Sequence, residues 1–116
     1  MKSKRLDNAG MNGAQNNMAK RLQKVQGQLD DISKEISDME FMGSSGGDAV
    51  QVIAKGDKTI LEISIKESSK EEFLKDMDML LDLIAAAAND ALKKVDEYTD
   101  QEISKITKGI PIPGLN

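Results

Sequence analysis

Residues 80–92 read LLDLIAAAANDAL, and this alanine-rich stretch decides the fold because it predicts a helix with a smooth surface. Alanine loses no side-chain entropy when a helix forms, so four alanines in succession strongly favour one. Apolar residues recur here at alternating steps of three and four, namely Leu81, Ile84, Ala88, Ala91 and Val95. This spacing predicts one stripe that packs closely against one neighbour, which the rest of the sequence has to supply.

A second long helix is predicted from Met18 onward by seven apolar residues whose spacing alternates strictly between four and three. They are Met18, Leu22, Val25, Leu29, Ile32, Ile36 and Met39. This is the a/d seam of three heptads, and it places Lys20 at an f position and Lys24 at a c position, both facing water. Residues 1–13 are polar, contain glycine and have no period, so we expect a flexible basic arm before the helix.

Two strands are predicted between the helices, because residues 49–55 (AVQVIAK) and 59–66 (TILEISIK) alternate in polarity. Gly56 and Asp57 fit a two-residue hairpin turn, which pairs Val52 with Leu61 and Val50 with Ile63. A three-residue loop would place Val52 opposite Glu62 and is therefore disfavoured. The glycine-rich residues 43–47 predict a turn, and residues 40–44 can form a further strand before it.

The sequence after the hairpin predicts a second long helical region and a short tail. Ser68 or Ser69 can cap that region, which is expected to reach about Thr107 with a break near residues 75–78. Two prolines make residues 109–116 an extended tail. We therefore predict a flexible arm over residues 1–13, one α+β domain over residues 14–108 and a tail. The domain has a long N-terminal helix, a small antiparallel hairpin or three-stranded sheet, and a long C-terminal helix.

The composition predicts self-association, because 116 residues with one Tyr, two Phe and no Trp build only a thin core. Two strands alone are marginal in water, so their edges need a third strand or another subunit. We predict a homodimer that forms through the sheet, with an interface drawn from Val50, Val52, Leu61 and Ile63.

Several functional classes are disfavoured by what the sequence lacks. There is no Cys and no His, which removes thiol chemistry and the commonest general base and metal ligand. Acidic pairs such as Asp76 and Asp78 lie on predicted solvated helices and lack the rest of a calcium loop. No apolar run approaches the ~20 residues that span a bilayer, and the start is no signal peptide. We therefore expect a cytoplasmic protein that is no enzyme and uses no metal or cofactor.

The charge distribution points to a polyanion as the partner. The net charge is −4, yet residues 1–29 hold six bases and one acid, and residues 30–116 hold ten bases and nineteen acids. With too few aromatic residues to stack on bases, nucleic-acid binding would use phosphate contacts that are largely independent of sequence. The candidate DNA-binding residues are Lys2, Lys4, Arg5, Lys20, Arg21 and Lys24, with Lys93 and Lys94 as weaker candidates.

The order of these segments resembles the YbaB/EbfC family of nucleoid-associated proteins. The resemblance is carried by GGDAVQV at residues 46–52, Gly56 at the hairpin, IAAAANDA at residues 84–91 and PGL at residues 113–115. It implies a small α+β dimer with protruding helical arms, cytoplasmic and nucleoid-associated, that binds duplex DNA without metal or cofactor. The sequence departs from the family pattern in a longer stretch at residues 66–78 and in an acidic second half.

A protein-binding role is the alternative that the residues leave open. Two heptad helices flanking a hairpin are also the plan of prefoldin-type chaperone subunits and of coiled-coil scaffolds.

Overall fold

The computed structural model describes the backbone of residues 2–108 and the side chains of residues 17–108. The elements in chain order are α1 (Lys2–Asp38), β1 (Glu40–Ser45), β2 (Val50–Lys55), β3 (Ile60–Ile65), α2 (Lys70–Lys75) and α3 (Met77–Thr107), with a 3₁₀ turn at Glu67–Ser69 before α2. The three strands form one antiparallel sheet in the order β1-β2-β3. This confirms the predicted α+β class and the third strand. The tail predicted over residues 109–116 lies outside the described residues.

Helix α1 begins at Lys2, so the residues expected to form a flexible arm have a helical backbone. The expectation rested on the absence of an apolar period, but helix formation does not require one. No proline occurs in this part of the chain, and each glycine costs only about 1 kcal/mol relative to alanine in a helix interior. The glycines at positions 10 and 13 therefore weaken the first turns without ending the helix.

Helix α3 covers one face of the sheet at very close range. An added Cβ on Gly43, in β1, would lie 2.2 Å from the carbonyl oxygen of Ala87 and 2.3 Å from the backbone nitrogen of Ala91. Both alanines are fully buried. The sequence analysis placed Gly43 both in the predicted turn and in the possible strand over residues 40–44, and the structure places it in the strand. Its missing side chain lets β1 approach the backbone of α3. The alanine-rich stretch therefore forms the predicted close contact, and its partner is a strand glycine.

The buried side of α3 is rotated from the predicted stripe. Leu80, Ala87, Ala91 and Val95 are buried, Ile84 and Ala88 are half-buried, and Leu81 is 58% exposed. The prediction was wrong for Leu81 because it assumed that a neighbouring element would cover the whole apolar stripe of the helix. Helix α3 packs mainly against β1 and β2, and Leu81 lies outside that contact.

The hairpin between β2 and β3 differs from the predicted two-residue turn. Lys55 and Thr59 flank a three-residue loop, in which Lys58 has a left-handed φ of 69°. This loop was disfavoured because it would place Val52 opposite Glu62. A β-bulge at Leu61 inserts one extra residue in β3, so that Val52 faces Ile63. Val52 therefore still faces an apolar residue, but this residue is Ile63 instead of the predicted Leu61.

The break between α2 and α3 lies at Asp76, within the predicted interval. The Asp76 carboxylate caps α3 by accepting a hydrogen bond from the Met79 backbone N–H, at 3.1 Å. Ser69 precedes α2 but forms no side-chain cap, so this part of the prediction was wrong. The negative charge of Asp76 also suits the positive N-terminal end of the α3 dipole.

The contact at Gly43 predicts a large loss of stability for Gly43→Ala. Because the new methyl would overlap backbone atoms, which cannot rotate away, β1 has to separate from α3. We expect thermal unfolding to show a cost of at least ~2 kcal/mol, in line with severe overpacking. Gly27→Ala is the matched control, since nothing lies within 4 Å of its added Cβ. The control should raise stability slightly through helix propensity. Equal melting temperatures for the two variants would contradict the close contact.

Candidate nucleic-acid interface

The strongest basic surface in the described part of the chain lies near the middle of α1. Lys20, Arg21 and Lys24 are all exposed, and none forms an ion pair with another described residue. Lys20 and Lys24 are neighbours on the helix surface because they are four residues apart. No acidic residue occurs between positions 17 and 29. We call these three residues the basic cluster.

Lys2, Lys4 and Arg5 lie farther along the same helix. They occupy the first turns of the α1 backbone. Because α1 is continuous, these positions and the basic cluster belong to one element that runs away from the sheet. The structure therefore brings six of the eight predicted DNA-binding residues onto one helix.

Lys93 and Lys94 lie elsewhere, beside the sheet, and carboxylates surround them. The Lys94 ammonium donates to the Met42 carbonyl oxygen at 2.8 Å and lies 3.5 Å from the Asp90 carboxylate. Lys93 lies 3.9 Å from the Glu97 carboxylate. The sequence analysis counted both lysines among the candidate DNA-binding residues. In the structure they lie on α3, apart from the basic cluster on α1. Lys94 has a structural partner that was not predicted.

The partners of Lys94 belong to a side-chain cap on the outer edge of β1. The Asp90 carboxylate accepts a hydrogen bond from the Ser44 backbone N–H at 3.0 Å, and Lys94 binds the Met42 carbonyl. These backbone groups point away from β2 and would otherwise be available to another strand. Asp90 and Lys94 are one turn apart on α3, so this helix closes the β1 edge. The signal in the sequence was an Asn-Asp pair inside an alanine run.

The edge of β3 carries no such cover in the described structure. Leu61 and Ile63 are 49% and 48% exposed, although Ile63 points to the α3 side of the sheet. Leu81 of α3 is also exposed. In contrast, Val50 and Val52 have no exposed surface, because they pack under α3. Of the four predicted interface residues, only Leu61 and Ile63 are available to a second copy.

The described residues contain no group of three or more acidic, His or Cys side chains that could hold a metal ion. An apolar depression lies between Ile65, Phe73 and Leu80. Its one titratable lining residue, Lys70, is ion-paired with Glu67 at 2.7 Å. Such a depression offers no acid–base pair. Among the described residues, no helix is long and apolar enough to cross a membrane.

These features define a small α+β protein with one helix-covered sheet and a long helix carrying basic residues. The sequence model of the YbaB/EbfC DNA-binding family matches residues 11–110. A nucleoid-associated protein of Clostridium acetobutylicum is 46% identical over 107 residues, which cover 91% of this chain and 94% of that protein. A nucleoid-associated protein of Oceanobacillus iheyensis is 41% identical, with 90% and 99% covered.

The chain belongs to the YbaB/EbfC DNA-binding family of nucleoid-associated proteins. The family description names DNA binding and no catalysed reaction. A crystal structure of an uncharacterized protein from Helicobacter pylori shares the fold, with a TM-score of 0.58 and 21% identity. That match covers 72% of this chain and 86% of the Helicobacter protein.

The β1 edge cap predicts a contribution of Asp90 to stability that depends on pH. The hydrogen bond from the Ser44 N–H, helped by nearby Lys94, lowers the pKa of Asp90 below its usual 3.8. The unfolded chain therefore binds this proton more readily than the folded protein. The stabilisation is complete above pH 3.8 and is lost as the pH falls through the lower folded pKa.

Asp90→Asn should lower the melting temperature at pH 7 and reduce the loss of stability between pH 5 and pH 2. The measurement is thermal unfolding across that range. Asp96→Asn is a suitable control, because Asp96 binds Lys58 on the surface and has no contact with a strand edge. Identical acid profiles for wild type and Asp90→Asn would contradict the cap.

Proposed function

We propose that this protein is a homodimer that binds duplex DNA through phosphate contacts made by the basic cluster and the start of α1. The observation that carries the proposal is the position of Lys20, Arg21 and Lys24. They form an exposed basic surface without acidic neighbours on a helix that extends away from an acidic body. The description of the family and the names of the relatives support DNA as the partner.

Phosphate contacts, rather than base readout, fit the chemistry of this surface. Lysine and arginine bind phosphate oxygens strongly, and the chain has few aromatic side chains that could stack on bases. The acidic residues that begin at Asp30 repel the same polyanion near the sheet. We therefore infer that the DNA lies along the outer half of α1 and that affinity depends strongly on salt.

A second copy is proposed to pair at the edge of β3. Leu61 and Ile63 of β3 are exposed apolar side chains, whereas the β1 edge is occupied by Asp90 and Lys94. A dimer formed there would carry two basic helices and could contact one duplex with both. Localisation at the nucleoid, and a role in its organisation and in gene regulation, would follow from such sequence-independent binding.

The DNA proposal predicts that Lys20→Ala/Arg21→Ala/Lys24→Ala weakens binding to every duplex sequence alike. Each phosphate contact contributes about −0.9 to the log–log salt slope, so six contacts in a dimer account for a slope of roughly −5. The triple variant should lose most of that slope in mobility shifts at several salt concentrations. Lys34→Ala, on the same helix but between Asp30 and Asp38, and Lys93→Ala should change little.

Unchanged affinity and slope in the triple variant would move the site away from the basic cluster. Absence of duplex binding by the wild type at low salt would favour the protein-binding scaffold instead.

The dimer proposal predicts that Ile63→Lys yields a monomer of about the chain mass, 12.6 kDa, in light scattering. A buried lysine at a second-copy contact loses its hydration without gaining a partner, which disfavours association. Met42→Lys is the matched control, since Met42 is equally exposed (49%) but lies on the other face of the sheet. A dimeric Ile63→Lys variant, or a monomeric wild type at micromolar concentration, would contradict an interface at β3.

A further inference from the structure

An apolar depression of about 240 Å³ lies over the C-terminal end of β3, on the side of the sheet that carries α3. Three elements form its walls, because Ile65 ends β3, Phe73 belongs to α2 and Leu80 belongs to α3. Phe73 and Leu80 are buried in the core. Leu74 also lines the depression, yet it is 75% exposed, the largest exposed fraction among the large apolar side chains of the described residues. The core is therefore open at this end.

The apolar side chains of β3 continue this open surface along the strand. Ile63 points to the α3 side of the sheet because it is paired with Val52, which is buried under α3. Side chains two residues apart in a strand share a face, so Ile65 lies on that side as well. At the bulge, Ile60 and Leu61 oppose a single residue of β2, which is also buried under α3. Helix α3 packs mainly against β1 and β2, so it leaves this side of β3 uncovered.

Pairing of two β3 edges leaves a gap over the two central strands of the combined sheet. A twofold axis perpendicular to the sheet puts both copies of α3 on the same face of six strands. Each α3 lies over β1 and β2, so the two helix axes are four strand spacings apart, ~19 Å at ~4.8 Å per strand. Packed helices are only about 8–10 Å apart. The space between the two helices therefore has the width of one further helix.

We propose that α2 of each copy fills half of this gap, with Leu74 packed on β3 of the partner subunit. The inference rests on the homodimer proposed above. Helix α2 is already on the required face, since Phe73 joins the core under α3, and it lies at one end of β3. The six residues of α2 are ~9 Å long and those of β3 ~20 Å, so the two copies of α2 fit one at each end.

The backbone of β3 selects the pairing register. The Lys66 N–H donates to the Ala49 carbonyl oxygen at 2.8 Å. Because the hydrogen-bonding direction alternates along an antiparallel strand, Ile63 and Ile65 direct their backbone groups away from β2. A twofold axis at Ile63 uses these groups. An axis at Glu62 would place two glutamates opposite each other, which is destabilising, and an axis nearer the strand end would leave the first residues unpaired. The axis of the proposed dimer therefore passes through Ile63.

This register places Leu61 of the partner subunit opposite Ile65, at the open end of the core. Leu74 borders the depression beside Ile65, so it packs on Leu61 of the partner subunit and closes the depression. Two leucines that are exposed within one copy thereby cover each other. Because the axis is twofold, the same contact occurs twice in the dimer, once at each end of the paired strands.

Leu74→Ala tests the contribution of this contact to the dimer. Because Leu74 is 75% exposed, its truncation removes little packing within one copy. In sedimentation at a series of concentrations, the dissociation constant of the dimer should rise by roughly tenfold or more, since each dimer loses two apolar contacts. Leu22→Ala is the matched control, because this leucine is also exposed but lies on α1, away from β3. The control should leave the dissociation constant unchanged.

Cross-linking tests the pair of positions, because the wild-type chain has no Cys. Leu61→Cys and Leu74→Cys are prepared as separate variants and mixed, and subunits are allowed to exchange before a short bifunctional maleimide is added. Within one dimer the two Leu61 positions are four residues of strand apart, ~13 Å, and the two Leu74 positions lie at opposite ends of the paired strands. The mixture should therefore form a cross-linked dimer roughly tenfold faster than either variant alone.

The outcomes separate this inference from the β3 interface itself. If the wild type is a dimer that Ile63→Lys dissociates, an unchanged dissociation constant in Leu74→Ala overturns the role of α2 and leaves the β3 interface intact. Equal cross-linking of the mixture and of the single variants overturns it as well. A monomeric wild type contradicts the proposed dimer and this inference together.

Discussion

The contact between Gly43 and the backbone of α3 is the constraint on which the rest of the structure depends. A strand can approach a helix this closely only where neither contributes a side chain larger than a methyl group. Gly43 meets Ala87 and Ala91, and the short separation then brings the polar edge of β1 within reach of Asp90 and Lys94. One steric condition thus fixes both the packing of the sheet and the state of its outer edge.

Because of this cap, the lysines beside the sheet and the lysines on α1 differ in whether they have partners. Lys94 is engaged with β1 and Lys93 with Glu97, so the lysines beside the sheet are engaged by groups of the same chain. The basic cluster on α1 has no such partners among the described residues. Although the net charge is negative, nineteen of the twenty acidic residues lie within residues 30–116. Among the described residues, a polyanion therefore encounters positive charge without a neighbouring carboxylate at the basic cluster.

Much of the fold could be predicted because it depends on local patterns. Heptad spacing predicted the second half of α1, alternation predicted the strands, and the break before α3 was predicted within its interval. The loop between β2 and β3 could not be predicted, because the bulge at Leu61 restored a register that a three-residue loop seemed to exclude. The exposure of Leu81 also depends on which strands α3 packs against, which no local pattern contains. The basic residues of the candidate site were visible in the sequence, but the engagement of Lys94 required the three-dimensional contact with Met42.

The asymmetry between the two sheet edges also limits how copies of this protein can assemble. A sheet with two open edges can add neighbours on both sides and grow into an open-ended fibre. Here the Met42 carbonyl and the Ser44 N–H are occupied by side chains from α3. Among the described strand edges, that of β3 carries no such side-chain cap, and pairing of two β3 edges around a twofold axis would leave neither edge free to bind a third copy. The two side chains that cap β1 would thus limit edge-to-edge association to a pair.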